Sequence, residues 1–217
     1  RATPSGVSIR SMAVIGRALS TNHDAPHARP VAVRLSSNFL PSTKASMNQL
    51  ARAIFDIAML RRGPEDLPAS AFLLRLALVA YVVIGGVGTA FYADDLRELV
   101  AQIGLDLLLV FTFFGALLLI HRKSARFGQT MTAVLGTGAL LYCVRLPLDL
   151  WLGALPEGAS ALLPAVLMLV LAVWSIIITG HILNRALDIP FLAGIVLGIV
   201  FFVINLVAYA TFFPAGS

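Results

Sequence analysis

Apolar residues along this chain fall into long stretches separated by short charged ones. Five stretches reach the roughly 20 mainly apolar residues that cross a hydrocarbon core: 71–92, 102–121, 129–148, 161–180 and 191–213. The fifth carries no charge from Phe191 to Phe213. The third is the weakest, because Arg145, Pro147 and Asp149 interrupt its far end. Backbone polar groups in lipid must be satisfied within the segment, so the pattern predicts an all-α, polytopic transmembrane bundle. Residues 48–62 follow a different rhythm. Gln49, Arg52 and Asp56 fall on one side of a helix, and Leu50, Ile54, Phe55, Ile57, Ala58 and Leu60 take the other. This stretch is too short to span, and Arg61 and Arg62 close it before a Gly63-Pro64 break. It predicts an amphipathic helix in the membrane interface, within a helix-and-linker region 47–70. The alternative is a helix packed on the spans.

The connections carry alternating charge. Arg52, Arg61 and Arg62 precede the first span, Arg122, Lys123 and Arg126 follow the second, and Arg185 follows the fourth. The first connection, with Asp94, Asp95, Arg97 and Glu98, is net acidic, and the third holds Glu157. This alternation is in register with five spans. The positive-inside rule then predicts a cytoplasmic N-terminus and a periplasmic C-terminus. Asp66-Leu67-Pro68 and Asp188-Ile189-Pro190 stand just ahead of the first and fifth spans. Each triplet reads as a helix start, with Pro in the first turn and Asp capping free amides.

Composition fits a membrane chain. Of 217 residues, 59% are hydrophobic and 12% charged, against roughly 45–50% and about 25% in soluble domains; mean hydropathy is +0.89. The formal net charge of +5 belongs to residues 1–46, where six Lys/Arg face the single acid Asp24. The rest of the chain sums to zero, so the basic pI implies no nucleic-acid partner. The leader is rich in Ser and Thr, lacks an apolar run, and is expected to be disordered. Transit peptides and lipid-touching basic tails share that composition. An over-extended reading frame with translation starting at Met47 is the reading preferred here. The lone Cys143 excludes an intrachain disulfide and reads as a buried, inert thiol.

Charges inside spans are costly and are candidate functional residues. Asp106 in the second span and Arg145 near the end of the third lie at matching depths of a hairpin and are expected to approach each other. They would form either a structural clasp or the wall of a polar cavity for a substrate or proton. Arg75 and Asp188 form a second candidate pair near the other face. Asn205 is expected to bond across helices. Gly136, Gly138, Gly194 and Gly198 are candidate helix-packing positions. The last two form a GxxxG, which serves either a dimer or close packing inside one bundle. His121 and His181 end two spans on one side, but no Cys or carboxylate cluster surrounds them. No haem, metal or other cofactor is assigned. No phosphate loop, HExxH, GxSxG or GxGxxG is present, and no enzyme activity is expected; a site would have to draw on Asp106, Tyr142, Arg145, Asp149 or the histidines.

Two segments bear a likeness to known proteins. Leu60-Arg61-Arg62-Gly63-Pro64-Glu65-Asp66-Leu67-Pro68-Ala69-Ser70 resembles the opening segment of small inner-membrane proteins of proteobacteria. Trp174-Ser175 and Gly180-His181-Ile182-Leu183-Asn184-Arg185-Ala186-Leu187-Asp188, followed by a last apolar span, resemble the closing part of Yip-family membrane proteins. That resemblance implies five spans with a cytoplasmic N-terminus. The Asp-Leu-Tyr-Gly-Pro segment and the long cytoplasmic N-terminal domain of eukaryotic members are missing. The likeness therefore speaks for a fold, and not for their GTPase binding or Golgi role. The expectation is a bacterial cytoplasmic-membrane protein in contact with lipid, acting as a non-enzymatic scaffold or accessory subunit. Its partner would be a second copy or another membrane protein. The alternative is a small transporter or proton-coupled carrier using Asp106 and Arg145.

Overall fold

A helix that faces lipid must be apolar, whereas one surrounded by other helices need not be. That rule explains the weakest apolar stretch. The computed structural model describes residues 43–156 and 160–214. The leader up to residue 42 and the acid Glu157 lie outside the described residues. Among those described, the elements are all helical. They run α1 (Thr43–Ala58), α2 (Ala71–Thr89), α3 (Leu96–Ile120), α4 (Phe127–Gly153), α5 (Leu162–Leu187) and α6 (Phe191–Phe212), with short 3-10 turns at Pro64–Asp66 and Ser124–Arg126. Helices α2 to α6 are long and apolar enough to cross a membrane.

The least apolar of the five, α4, is the most buried. It touches α1, α2, α3 and α5. Met131, Thr132, Ala133, Leu135, Gly136 and Thr137 are all buried. Two of its hydroxyls turn back on their own helix: Thr132 donates to the Gly128 carbonyl and Thr137 to that of Ala133, both at 2.7 Å, whereas the buried Thr130 hydroxyl has no partner among the described residues. Pro147 does not end α4, which continues to Gly153. Pro removes one backbone donor, but Arg145 and Asp149 clasp each other across that turn.

Glycine sets the helix spacing. On α4, Gly138 meets Tyr81, Tyr142 meets Gly85, and Asp149 meets Tyr92, a constant offset of 57 along the chain. Helices α2 and α4 are therefore parallel neighbours. Helices α5 and α6 form an antiparallel hairpin in which Gly194 abuts the Gly180 carbonyl and Gly198 the Ile176 carbonyl. The four packing glycines are thus spent inside one chain: Gly136 receives Ile54 of α1, and Gly138 receives Tyr81.

Helix α1 buries Leu50, Ala53, Ile57 and Ala58 in one cluster with Ala133, Ile178 and Ile182 of α4 and α5. Most of its apolar face is thus packed on the spans, whereas Phe55 is half exposed and Asn48, Gln49 and Arg52 remain exposed. The helix stops at Ala58, short of the predicted Arg62. Leu60 turns left-handed (φ 60°), as do Arg122 after α3 and Asp188 after α5 (both 56°). In all three the next amide bonds five residues back: Arg61 to Asp56, Lys123 to Leu118, and Ile189 to Asn184. This is the Schellman closure, made here without glycine.

The Asp-x-Pro triplets do not act as helix starts. Ser70 and Pro190 occupy the cap positions of α2 and α6, and neither makes a side-chain cap bond. Asp66 instead accepts from the Gly63 amide at 3.2 Å, and Asp188 serves an ion cluster described below. Among the described residues an acidic side chain caps a span at Asp95, which accepts from the Glu98 amide at the start of α3. Cys143 is exposed and not buried, because α4 turns residues 143–145 outward near its end.

Candidate functional site

Midway along α3, Asp106 faces inward between three other helices. Tyr81 of α2 donates its hydroxyl to Asp106 Oδ2 at 2.5 Å. Tyr142 of α4 sets its ring edge-on to that of Tyr81, at 69° and with centroids 5.5 Å apart. Tyr209 of α6 donates to the Gln102 carbonyl, one turn before Asp106, at 3.2 Å. These four side chains line a cleft with Gly85, Gly86, Thr89 and Ile103. The glycines make room: a Cβ at Gly85 would lie 3.0 Å from the Tyr142 ring, and one at Gly86 would lie 3.3 Å from Ile103. The space inside is ≈ 10 Å³, at the lower limit for one water.

A polar file connects this cleft to the end of the bundle. Glu98, Gln102 and Asp106 stand at helical spacing on one face of α3. Gln102 is buried and donates to Glu98 at 2.9 Å. Glu98 in turn holds the Asp94 amide at 2.8 Å. The file thus runs from an exposed acidic connection towards a carboxylate among apolar helices; hydrogen bonds carry it as far as Gln102, and helical spacing alone relates Gln102 to Asp106.

A second polar group closes the same end. Asp149 is buried at 5% exposure. It accepts from the Tyr92 hydroxyl at 2.5 Å and from Arg145 Nε at 3.2 Å. The Arg145 guanidinium also sits 5.7 Å from the Tyr92 ring centre, a cation–π distance.

The expected Asp106–Arg145 pair does not form. Asp106 takes a phenol and Arg145 takes the acid one turn along its own helix. Depth is the reason. Tyr81 puts Asp106 level with Gly138, and Arg145 lies seven residues further along α4, about 10 Å at 1.5 Å per residue. The Arg75–Asp188 pair is likewise absent. Asp188 binds Lys123 at 2.6 Å and Arg126 at 3.0 Å, tying the α3–α4 connection to the α5–α6 turn. Those two bonds hold its carboxyl below the ordinary range. Arg75 is exposed on α2. Asn205 bonds back to the Phe201 carbonyl of its own helix and not across helices. His181 is buried on the Arg62 carbonyl at 2.8 Å, and His121 is exposed on that of Leu117 at 2.9 Å. Each imidazole thus serves a backbone carbonyl at the basic end. Among the described residues no group of three metal-ligating side chains converges.

Sequence reasoning points to Asp106 and Tyr142 but not to Tyr81 or Tyr209 beside them. All four tyrosines of the chain stand at these two centres, and their scarcity elsewhere was the available signal. No family model matches the chain, and no curated protein or solved structure is similar to it.

Proposed function

We propose that this protein is a non-enzymatic, multi-pass protein of the bacterial cytoplasmic membrane and a small proton carrier, which takes up and releases protons at Asp106 and needs no co-substrate to pass them across. The observation that carries this reading is the file Glu98–Gln102–Asp106, which ends on a carboxylate ringed by Tyr81, Tyr142 and Tyr209. An ionisable side chain within a span is expensive and is retained where it has a task. A cleft of ≈ 10 Å³ admits a proton and at most one water, not an organic solute, as it stands. Tyr81 holds the carboxylate when it is ionised, and a hydroxyl accepts from it equally well when it is protonated. The site therefore keeps a hydrogen bond in both states.

The basic connections support a cytoplasmic N-terminus and a periplasmic C-terminus, with the Glu98 end then facing outward. The five spans and the order of their charged connections also support the Yip-like relationship, as part of the same proposal. A scaffold draws its support from short connections and small-residue faces, and of those faces Gly136, Gly138, Gly194 and Gly198 are filled within the fold.

The test is proton flux into liposomes carrying the purified protein and an internal pH dye, driven by an imposed potassium diffusion potential. Wild-type protein should acidify the lumen, and Asp106→Asn should abolish this while melting normally. Flux equal to that of empty liposomes, or full flux in Asp106→Asn, would sink the proposal.

A further inference from the structure

Arg75 is a charge in the wrong place for a protein partner. It lies one turn into α2 and is exposed, and among the described residues it makes no ion pair or hydrogen bond. Four of the other seven cations at that end are engaged, Arg62 with Asp56, Lys123 and Arg126 with Asp188, and Arg185 with Glu65; Arg52, Arg61 and Arg122 are exposed outside the spans, so Arg75 is set apart by its place inside an apolar helix. The surface beneath Arg75 is purely apolar. Val79, Val83 and Val87 follow it at intervals of four residues, each more than half exposed, and Phe72 stands on its other side at 62%. A guanidinium here must reach an anion at the headgroup level, since hydrocarbon offers it none.

We infer that Arg75 and the valine ridge below it form a binding site for an anionic phospholipid. The guanidinium takes two phosphate oxygens, a geometry for which its planar fork is suited, and an acyl chain lies along Val79, Val83 and Val87. Charge selects the lipid class. Around this end, residues 48–75, 121–126 and 181–189 hold eight basic side chains against four acidic ones. A phosphatidylglycerol headgroup complements that field, and the ammonium of a zwitterionic headgroup is repelled by it. The inference does not rest on Asp106 or on proton uptake.

The experiment places the full chain in nanodiscs of equal phosphatidylglycerol and phosphatidylcholine, extracts it mildly and counts retained lipids by native mass spectrometry. Wild-type protein should retain phosphatidylglycerol in excess. Arg75→Gln should lower that preference about fivefold, the effect of one basic residue near a membrane surface. Arg75→Lys should keep part of it, and Arg97→Gln, at the opposite end, should keep all of it. A photoactivatable phosphatidylglycerol should label residues 71–87 in wild-type protein, and inorganic phosphate should not reduce the labelling. No preference in wild-type protein, an unchanged preference in Arg75→Gln, labelling elsewhere, or displacement by inorganic phosphate would each overturn the site.

Discussion

The α5–α6 hairpin and the α2–α4 pair both rest on glycine, for opposite purposes. In the hairpin, Gly194 and Gly198 press against the carbonyls of Gly180 and Ile176. Backbone meets backbone, with only Ile195 and Ile176 side-chain atoms beside it and no aromatic ring. Between α2 and α4, Gly138 and Gly85 instead receive the rings of Tyr81 and Tyr142. Those rings end in hydroxyls beside Asp106. Small residues in a membrane helix therefore mean two things. Facing a carbonyl, they bring two helices into contact. Facing an aromatic ring, they carve the seat of a polar site. The neighbouring atom, and not the motif, decides which.

The sharpest way to break this contrast is to add one methyl group to each pair. At Gly194 a Cβ would collide with the Gly180 carbonyl, which cannot move without its helix. Gly194→Ala should cost about 3 kcal/mol, the upper range for overpacking, measured by denaturant titration of the purified protein in micelles. At Gly138 the methyl meets the edge of the Tyr81 ring, a side chain and not a backbone carbonyl. Gly138→Ala should cost only about 1–2 kcal/mol, yet displace Tyr81 from Asp106 and reduce proton flux in liposomes. Equal stability losses with unchanged flux would mean that the two glycine faces do not differ in kind.

Much of the frame was legible in the sequence. Spans are written in composition, and the five predicted ones all appear as helices. Their ends were less legible, because α1, α3 and α5 close through Leu60, Arg122 and Asp188 in left-handed conformation where no glycine signals it. The site was half legible. An ionisable residue such as Asp106 announces itself in an apolar run. Its pairing with Tyr81 and Tyr142 does not, because it rests on the parallel α2–α4 register, which no local pattern encodes. The Arg145–Asp149 clasp was readable from its i,i+4 spacing. The expected Asp106–Arg145 pair failed because opposite charges were matched by helix end, without the register that sets their depths.

The second centre tests whether the Tyr92–Asp149–Arg145 group is structural. Tyr92→Phe removes one donor from a buried carboxylate that keeps Arg145. The loss should be about 1 kcal/mol, a typical hydrogen bond, in the same denaturant titration, with proton flux unchanged. A large loss of flux with normal stability would instead make Tyr92 part of the proton path.

The smallest effect belongs to the opposite end, where the comparison becomes one of solvent. Asp106 and Asp149 are shielded by helices, whereas Asp188 is exposed with Lys123 and Arg126. Its carboxyl is held below the ordinary range by their hydrogen bonds. A depressed folded-state pKa stabilises the latch above the unfolded pKa, and the gain disappears as pH falls through the folded value. The latch should therefore be complete at neutral pH and loosen only in acid. Solvent screening keeps the gain small. Asn tolerates the left-handed backbone as Asp does, so Asp188→Asn removes the charge without straining the turn. Amide exchange in residues 122–126 and 185–189 should quicken about twofold at neutral pH, with exchange around Asp106 unchanged. High salt should produce the same quickening in wild-type protein. Exchange indifferent to both salt and the substitution would show that the Schellman closures alone hold this end.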